Sequence, residues 1–185
     1  MNFQISVEHS RHEMEEYNTE TIFDKCIFGT DKYGFTGNIH LHNTEDQIIG
    51  IIEVLFLDED LTSDKNAGSL AEVADSIDED IAGAFQYLEQ SKIFDQSLPL
   101  MLRHSCYIST FYIDPKYRCQ GLGTYLLKNF NRICRHMFNI PLNYIIVYPK
   151  PDLTEDEEKK RMCNFFEKNG FVPLKNSGYY AKLSE

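Results

Sequence analysis

The stretch from Cys106 to Met137 constrains the fold of this chain more than any other part of the sequence. Residues 106–113 are rich in β-branched and aromatic side chains, which is typical of a strand. Asp114-Pro115 ends that strand because proline cannot donate to a sheet ladder. Gly121 then opens a helix whose apolar residues recur at helical spacing as far as Met137. The order strand, loop, helix places the unpaired amides of a helix N-terminus at the end of a strand.

The loop between this strand and helix has the residues that an anion site needs. Gly121 and Gly123 have no Cβ, so the backbone amides beside them can approach a bulky anion closely. Arg118 adds a full positive charge, and a helix N-terminus carries roughly half a positive elementary charge. A P-loop is excluded because no Gly-Lys-Ser/Thr follows, and a dinucleotide fingerprint lacks its third glycine. A pyrophosphate site without metal is therefore predicted, although paired glycines at a helix start also serve tight turns.

Two segments resemble signatures of the GNAT superfamily of acyl-CoA-dependent N-acyltransferases. Residues 111–123, Phe-Tyr-Ile-Asp-Pro-Lys-Tyr-Arg-Cys-Gln-Gly-Leu-Gly, resemble its acyl-CoA-binding signature. Residues 165–171, Phe-Phe-Glu-Lys-Asn-Gly-Phe, resemble its helix-to-strand ending. The resemblance implies an α+β fold with a mixed, mostly antiparallel central sheet flanked by helices. It also implies one N-acetyltransferase-like domain over residues 1–185, with acetyl-CoA as co-substrate and no metal.

In that family the signature loop and the strand before it hold the cofactor. The resemblance therefore implies that the strand backbone binds pantetheine, the loop binds pyrophosphate and the second segment lies beside the cofactor's other edge. The implied residues are Phe111, Ile113, Arg118, Cys119, Gln120, Gly121, Leu122, Gly123, Thr124 and Phe166. Cys119 stands where glycine is usual, and we expect a backbone there that tolerates a side chain and still directs its amide to the phosphate. Phe166 stands where a tyrosine often protonates the leaving thiolate.

The implied reaction is direct attack of a primary amine on the thioester carbonyl, with both substrates held in a ternary complex. The amine must lose a proton and the thiolate must gain one, because a primary amine is mostly protonated at neutral pH. Candidate bases are Glu53 and Glu72, and candidate acids are Tyr148, Tyr179, Tyr180 and Cys163. We select Glu53, Tyr148 and Tyr179 as catalytic residues, although a packing or surface role also fits each of them. The alternative function is a GNAT-like CoA-binding or protein-interaction module without turnover.

Periodicity and turn residues predict the remaining elements. Phe3–Val7 alternates as a half-buried strand does, and residues 37–42 and 47–57 form an antiparallel hairpin around turn residues 43–46. Apolar residues from Ser69 onwards recur at helical spacing, which predicts one extra helix near residues 69–90. Further elements are a buried strand at 143–148, a helix at 155–169 ended by a left-handed Gly170, and strands at 171–174 and 179–183.

The net charge of the chain restricts the classes of partner that it can bind. The formal net charge is −11 and the isoelectric point is near 5.0, so the chain repels nucleic acids and anionic membranes. We therefore expect no nucleic-acid or membrane partner. The implied acceptor is a small-molecule amine or a protein lysine or N-terminus, and a homodimer is allowed. The segment from Glu53 to Asp80 is rich in acidic residues and contains a single basic residue, Lys65. This composition favours a cationic acceptor, although a solvated acidic surface is the simpler explanation.

Cysteine and histidine usage adds two further expectations. The five cysteines are odd in number and scattered, and neither a signal-like N-terminus nor a membrane-length apolar run is present. We therefore expect reduced thiols in a cytoplasmic protein. His40 and His42 share one face of a strand, as two metal ligands would, but no third ligand stands at a suitable spacing. An ordinary hairpin surface is favoured over a metal site.

Overall fold

The computed structural model describes residues 4–10, 34–57, 70–75, 79–93, 104–149 and 156–184. Seven strands lie within these ranges: β1 Gln4–Ser10, β2 Gly34–His42, β3 Ile48–Leu57, β4 Ser105–Ile113, β5 Tyr144–Val147, β6 Val172–Pro173 and β7 Tyr180–Leu183. The helices described there are α1 Leu70–Asp75, α2 Glu79–Glu89, α3 Leu122–Phe138 and α4 Asp156–Lys168. A 3₁₀ turn, Pro115–Tyr117, links β4 to α3.

All seven strands form one sheet in the order β1-β2-β3-β4-β5-β7-β6. Only β4 and β5 run parallel among the described strand pairs; the other neighbours are antiparallel. The parallel pair requires a crossover, and α3 supplies it between the two strands. The mixed, mostly antiparallel sheet flanked by helices that the family resemblance implied is therefore confirmed.

Helices cover both faces of the sheet, and each face has its own core. Alternate residues of β3, β4 and β5 pack with α3 and α4, and this larger cluster includes Ile52, Val54, Ile108, Val147, Phe130 and Phe166. The opposite face packs with α1 and α2 through a smaller cluster that includes Leu57, Tyr144, Ile146, Ala74, Phe85 and Leu88. The two faces therefore place different helices on the two sides of β4.

Most predicted elements are present within a few residues of their expected bounds. The prediction of a single extra helix is wrong in one respect. Residues near 69–90 form two helices, α1 and α2, rather than one. Ala74 of α1 and Leu88 of α2 both belong to the smaller core cluster. Two short helices can both place apolar residues in this one cluster. A single straight helix of twenty residues would instead extend for about 30 Å. Ser69 and residues 76–78 lie outside the described residues.

Two irregularities alter the pairing of β4 near the middle of the strand. Glu53 of β3 pairs with Thr110, but the next pair is Val54 with Ile108, so Ser109 is an extra residue in a β-bulge. On the other side, β5 pairs with β4 only as far as Ile108. The remainder of β4 continues to residue 113 without β5 beside it. The sheet therefore opens between these two parallel strands.

Among the described residues, no helix has the length and apolar character needed to cross a membrane. The cysteines in the same ranges are free thiols at positions 106, 119, 134 and 163. Burial raises the pKa of Cys106 and Cys134, which disfavours their reactive thiolate forms.

Candidate functional site

A cleft of about 1040 Å³ lies where β4 and β5 separate. This is at the upper end of the volumes typical of small-molecule sites. The elements that line it are the middle of β3, the second half of β4, the following loop, the start of α3, the end of β5 and one face of α4. The residues selected from sequence that line it are Glu53, Phe111, Ile113, Arg118, Cys119, Gly121, Leu122, Gly123, Thr124, Tyr148 and Phe166. The fold therefore collects these separated positions around one opening.

The loop after β4 is held in place at both of its ends. The side chain of Asp114 caps the 3₁₀ turn by accepting a hydrogen bond from the Lys116 amide at 2.8 Å. The Asp114 amide donates to the carbonyl of Ile49 in β3, also at 2.8 Å. Nδ2 of Asn43, in the turn between β2 and β3, donates to the Tyr117 hydroxyl at 3.2 Å. The loop is thus fixed to β3 and to the neighbouring hairpin turn.

The N-terminus of α3 faces the cleft without a cap. Gly121 is the N-cap residue, with φ 82° and ψ −2°, and no side chain caps the helix. The first turn has no acidic residue. The Tyr125 amide donates to the Gly121 carbonyl at 2.9 Å, so the amides of residues 122–124 precede the first intrahelical bond. Unpaired amides and the positive end of the helix dipole therefore point to the place where an anion would bind.

Cys119 differs from expectation in its backbone. Its φ is 60°, in the left-handed region that favours glycine, so the side chain is accepted there only at a cost of about 1 kcal/mol. Its neighbour Arg118 is fixed by a hydrogen bond from Nε to the Ile113 carbonyl at 2.8 Å. The guanidinium carbon lies 5.8 Å from the centre of the Tyr112 ring. This arrangement leaves the two terminal guanidinium nitrogens for an anion in the cleft.

The structural reason for a glycine at position 123 differs from the predicted one. A Cβ on Gly123 would lie 2.9 Å from Cζ of Phe165 and 3.4 Å from Cε1 of Phe111. The missing side chain therefore lets α3 approach the aromatic residues of α4 and β4 closely. A Cβ on Gly121, in contrast, would meet no atom within 4 Å and would project into open space. Of the two glycines, only Gly121 keeps the space beside the helix N-terminus clear.

The second signature segment forms the end of α4. Phe166 is 1% exposed, and its ring packs edge-on against Phe111, Phe165 and Phe171 at centroid distances of 5.3–6.0 Å. Gly170 has φ 87°, and the bonds from Phe171 to the Phe166 carbonyl and from Gly170 to the Glu167 carbonyl make a Schellman cap. The predicted left-handed Gly170 is confirmed. Phe166 supports the cleft by packing and carries no proton for the reaction.

Glu53 lies on the sheet face opposite to α3 and α4. Its carboxylate is exposed, and its Oε2 accepts a hydrogen bond from the Thr110 hydroxyl at 2.6 Å. These two residues are cross-strand partners in the β3–β4 register. The expected exposed position of Glu53 is confirmed, while its orientation by Thr110 could not be predicted because the register includes the bulge at Ser109.

Tyr148 follows β5 and is half-buried at the cleft. Its ring lies so close to Gly178 that a Cβ there would overlap with ring atom Cε2, and its centroid is 5.2 Å from that of Tyr179. Tyr179 does not line the cleft. Tyr179 packs instead between Tyr148 and the aromatic residues Tyr87 and Tyr107, with centroid distances of 6.1 and 6.4 Å. Of the selected tyrosines, only Tyr148 therefore reaches the site.

Four other candidates lie outside the cleft lining: Gln120, Glu72, Cys163 and Tyr180. The Gln120 side chain donates to the Lys116 carbonyl at 3.0 Å. A hydrogen bond with Cys163, followed by burial and the nearby Glu167 charge, raises the pKa of Tyr180. Tyr180 and Cys163 therefore form their own contact between β7 and α4.

Sequence reasoning missed two charged residues on α4, Glu158 and Arg161, which line the cleft together with Met162 and Phe165. The spacing 158, 161, 162 and 165 is that of one helix face, and this was the available signal. Arg161 is exposed and forms an ion pair with Glu157 at 3.6 Å. It supplies a second positive charge near the opening.

The histidines of β2 belong to the hairpin surface. Nδ1 of His42 lies 3.1 Å from the carboxylate of Asp46 in the hairpin turn, and the His40 and His42 ring centroids are 6.3 Å apart. Within the described ranges, no group of three or more His, Cys, Asp or Glu side chains has the arrangement of a metal site.

Comparison with family models places the chain among acetyltransferases. The model described as an acetyltransferase (GNAT) domain matches residues 37–173, which is more than half of the chain. The chain therefore belongs to the GNAT acetyltransferase family. Membership supports transfer of acyl groups from CoA in general terms. No curated protein matches the sequence.

Solved structures that match this chain include AtaTR bound with AcCoA, a mutant of the spermidine N-acetyltransferase SpeG from Vibrio cholerae, and GCN5 from Tetrahymena. Their sequence identities to this chain are 14%, 11% and 12%, and the TM-scores are 0.42, 0.41 and 0.40. The matches cover 82%, 80% and 91% of this chain and 68%, 64% and 77% of the respective structures. The chain thus spans about two thirds of the length of the first two.

Proposed function

We propose that the protein is an N-acyltransferase that moves an acetyl or other acyl group from CoA to a primary amine in a ternary complex. The observation that carries the proposal is one cleft with two chemically different ends. Arg118 and the uncapped N-terminus of α3 supply positive charge at one end. Glu53 and Tyr148, a carboxylate and a phenol, line other parts of the same cleft. An anionic cofactor and an amine therefore have separate places beside each other.

The residues of the loop and of β4 fit acetyl-CoA. The amides of residues 122–124 and the guanidinium of Arg118 would bind the pyrophosphate, with Arg161 as a further cation at the opening. The backbone of β4 at Phe111, together with the Ile113 amide, is left unpaired by β5 and would bind the pantetheine amides, while the Ile113 carbonyl holds Nε of Arg118. The bound thioester supplies the activated acyl group. Cys119, Gly121, Leu122 and Gly123 shape the loop, and no metal is needed to neutralise the phosphates.

In this proposal Glu53 takes a proton from the acceptor ammonium, and Tyr148 gives a proton to the thiolate that leaves. The amine nitrogen forms a bond to the acyl carbon while the carbon–sulfur bond breaks, so the products are an amide and free CoA thiol. Thr110 holds one oxygen of Glu53 and leaves Oε1 for the amine. The ammonium nitrogen loses two protons in becoming an amide. Glu53 passes the first to solvent, and the second leaves the nitrogen as the amide forms and replaces, through solvent, the proton that Tyr148 gave to the thiolate. Tyr179 acts by packing against Tyr148 rather than by touching the substrate.

The second candidate function is a GNAT-like module that binds CoA or a protein without turnover. The observation that favours it is the buried Phe166 at the position where a phenol is often present in the family. Tyr148 offsets this argument because it brings a phenol to the cleft from the end of β5 instead. The catalytic function is therefore the better supported of the two.

Release of CoA thiol from acetyl-CoA in the presence of a panel of primary amines tests the proposed function. We expect amine-dependent thiol release, and a reduction of kcat by about 10²-fold in Glu53→Gln. Glu45→Gln is the matched control, since Glu45 is exposed in the hairpin turn and outside the cleft lining. Binding of acetyl-CoA without thiol release for any amine would support the non-catalytic module and contradict the enzyme.

We further propose that residues 1–185 act as one domain in the cytoplasm. One continuous sheet joins strands from both ends of the described chain, which supports the single domain. The free thiols of the described cysteines are in keeping with a reducing compartment.

A further inference from the structure

A group of four side chains on β3 and β4 includes the proposed base Glu53 and lies beside the cofactor loop, where the Tyr112 ring centre is 5.8 Å from the guanidinium carbon of Arg118. Register places Ile51 opposite Tyr112 and Glu53 opposite Thr110. The intervening residues Ile52 and Phe111 face α3 and α4, so these four side chains share the other face. All four line the cleft. We call them the β3–β4 patch.

The patch has a polar row and an apolar row. Glu53 and Thr110 provide a carboxylate whose Oε2 is already fixed by the Thr110 hydroxyl at 2.6 Å. Ile51, which is half-buried, and Tyr112, which is 38% exposed, provide an aliphatic and an aromatic surface next to it. Residues two apart on a strand are separated by about 6.8 Å, so the two rows are about that far apart. This distance suits a charged group joined to a chain of several methylenes.

We propose that the β3–β4 patch is the acceptor site and that it selects a linear alkylammonium group. This inference rests on the proposed function and specifies its acceptor. The ammonium would donate to Oε1 of Glu53, and the alkyl chain would lie on Ile51 and Tyr112. The fixed carboxylate supplies charge selectivity, and the apolar row supplies selectivity for chain length. Aromatic amines are rigid and uncharged at neutral pH, and α-amino acids add a carboxylate that Glu53 would repel.

Calorimetric titration of linear alkylamines, from ethylamine to hexylamine, into the CoA-saturated protein tests this site without any need for turnover. We expect affinity to rise with chain length, by up to about fourfold for each methylene that becomes buried. Glu53→Gln should weaken hexylamine binding about tenfold or more, because a charge-assisted hydrogen bond is lost. Glu45→Gln should leave it unchanged, since that carboxylate is in the exposed hairpin turn. Binding should also weaken as salt rises from 0.1 to 1 M, because the Debye length falls from about 10 Å to about 3 Å.

A second variant separates the apolar row from the polar row. Ile51→Ser should flatten the dependence on chain length while ethylamine binding is retained. The linear alkylammonium group could belong to a protein lysine or to a free alkylamine. Comparing the binding of Nα-acetyl-lysine amide with that of hexylamine distinguishes these two sources, and tight binding of either compound supports the site.

Equal affinity for aniline, an α-amino acid and hexylamine, or binding that is insensitive to both chain length and Glu53→Gln, would overturn the inference. In that case amine-dependent thiol release would still support the proposed function. Absence of amine-dependent thiol release would contradict the proposed function. The alkylamine titrations alone decide whether the β3–β4 patch is the acceptor site.

Discussion

The position of Tyr148 gives the strongest test of how the structure prepares the reaction. Gly178 has no side chain, and the Tyr148 ring occupies the space that a Cβ would need. A Cβ at position 178 would overlap with Cε2 and lie 3.1 Å from Cδ2 and Cζ of the ring. Gly178→Ala must therefore displace the ring, and the backbone turn that carries residue 178 is itself held by the bonds between Leu174 and Tyr179.

The size of the effect follows from that geometry. Ordinary contact begins near 3.4 Å, so the ring has to move by roughly 1 Å, and a misplacement of this size costs about 10²-fold in rate. Overpacking of this kind also destabilises a protein by about 1–3 kcal/mol. We expect kcat to fall about 10²-fold in Gly178→Ala while KM for acetyl-CoA stays near its wild-type value. Tyr148→Phe should show a loss of similar size, since it removes the proton donor itself.

Steady-state thiol release with an active amine, together with thermal unfolding, measures both effects. Gly83→Ala is the matched control: its Cβ would lie 3.7 Å from the Tyr179 hydroxyl, in ordinary contact, and alanine favours the helix. The double variant Gly178→Ala, Tyr148→Phe should be no slower than Tyr148→Phe alone. If Gly178→Ala kept wild-type kcat, or slowed the Tyr148→Phe enzyme by a further 10²-fold, the positioning argument would be refuted.

Three further predictions concern the cofactor loop. Cys119→Gly should raise the free energy of unfolding by up to about 1 kcal/mol and keep acetyl-CoA affinity, because glycine accepts the left-handed φ; denaturant unfolding and calorimetry measure this, and a loss of stability would contradict it. Gly123→Ala should destabilise the fold by about 1–3 kcal/mol through contact with Phe165, and Phe165→Leu should partly restore stability in that background; an unchanged melting temperature would show the contact to be unimportant. Tyr117→Phe should lower the free energy of unfolding by about 1 kcal/mol, because Asn43 Nδ2 then keeps only its bond to Gln47; denaturant unfolding measures this, and an unchanged value would show that the link between the loop and the hairpin turn adds no stability.

Local sequence patterns were enough to predict the unit from β4 to α3. Its strand propensity, the Asp114-Pro115 stop and the apolar stripe of the helix each act within a few residues. The division of the extra helix into α1 and α2 was missed, because it depends on how both pack into one core beneath the sheet. Periodicity measures the apolar face of a segment, and a break with the same face on both sides leaves that signal almost unchanged.

The sequence indicated the cleft residues that are close together in the chain. It missed the arrangements that depend on contacts between distant residues. Arg118 and Gly121 are neighbours in the loop that the sequence indicated. The link between Glu53 and Thr110 depends on strand register and on the bulge at Ser109, which no local pattern fixes. The choice of Tyr148 over Tyr179 depends on which ring faces the cleft, and thirty residues separate Tyr148 from the glycine that holds it.

Binding of acetyl-CoA to the start of α3 is the central claim, and isothermal titration calorimetry tests it most directly. Gly121→Val would place a side chain in the open space before the helix, and Arg118→Ala would remove the charge beside it. We expect Arg118→Ala to weaken binding about 10- to 100-fold and Gly121→Val at least as much. Lys175→Ala, which removes an exposed cation outside the cleft, should bind as the wild type does. Wild-type affinity in folded Gly121→Val and Arg118→Ala would show that the cofactor binds elsewhere.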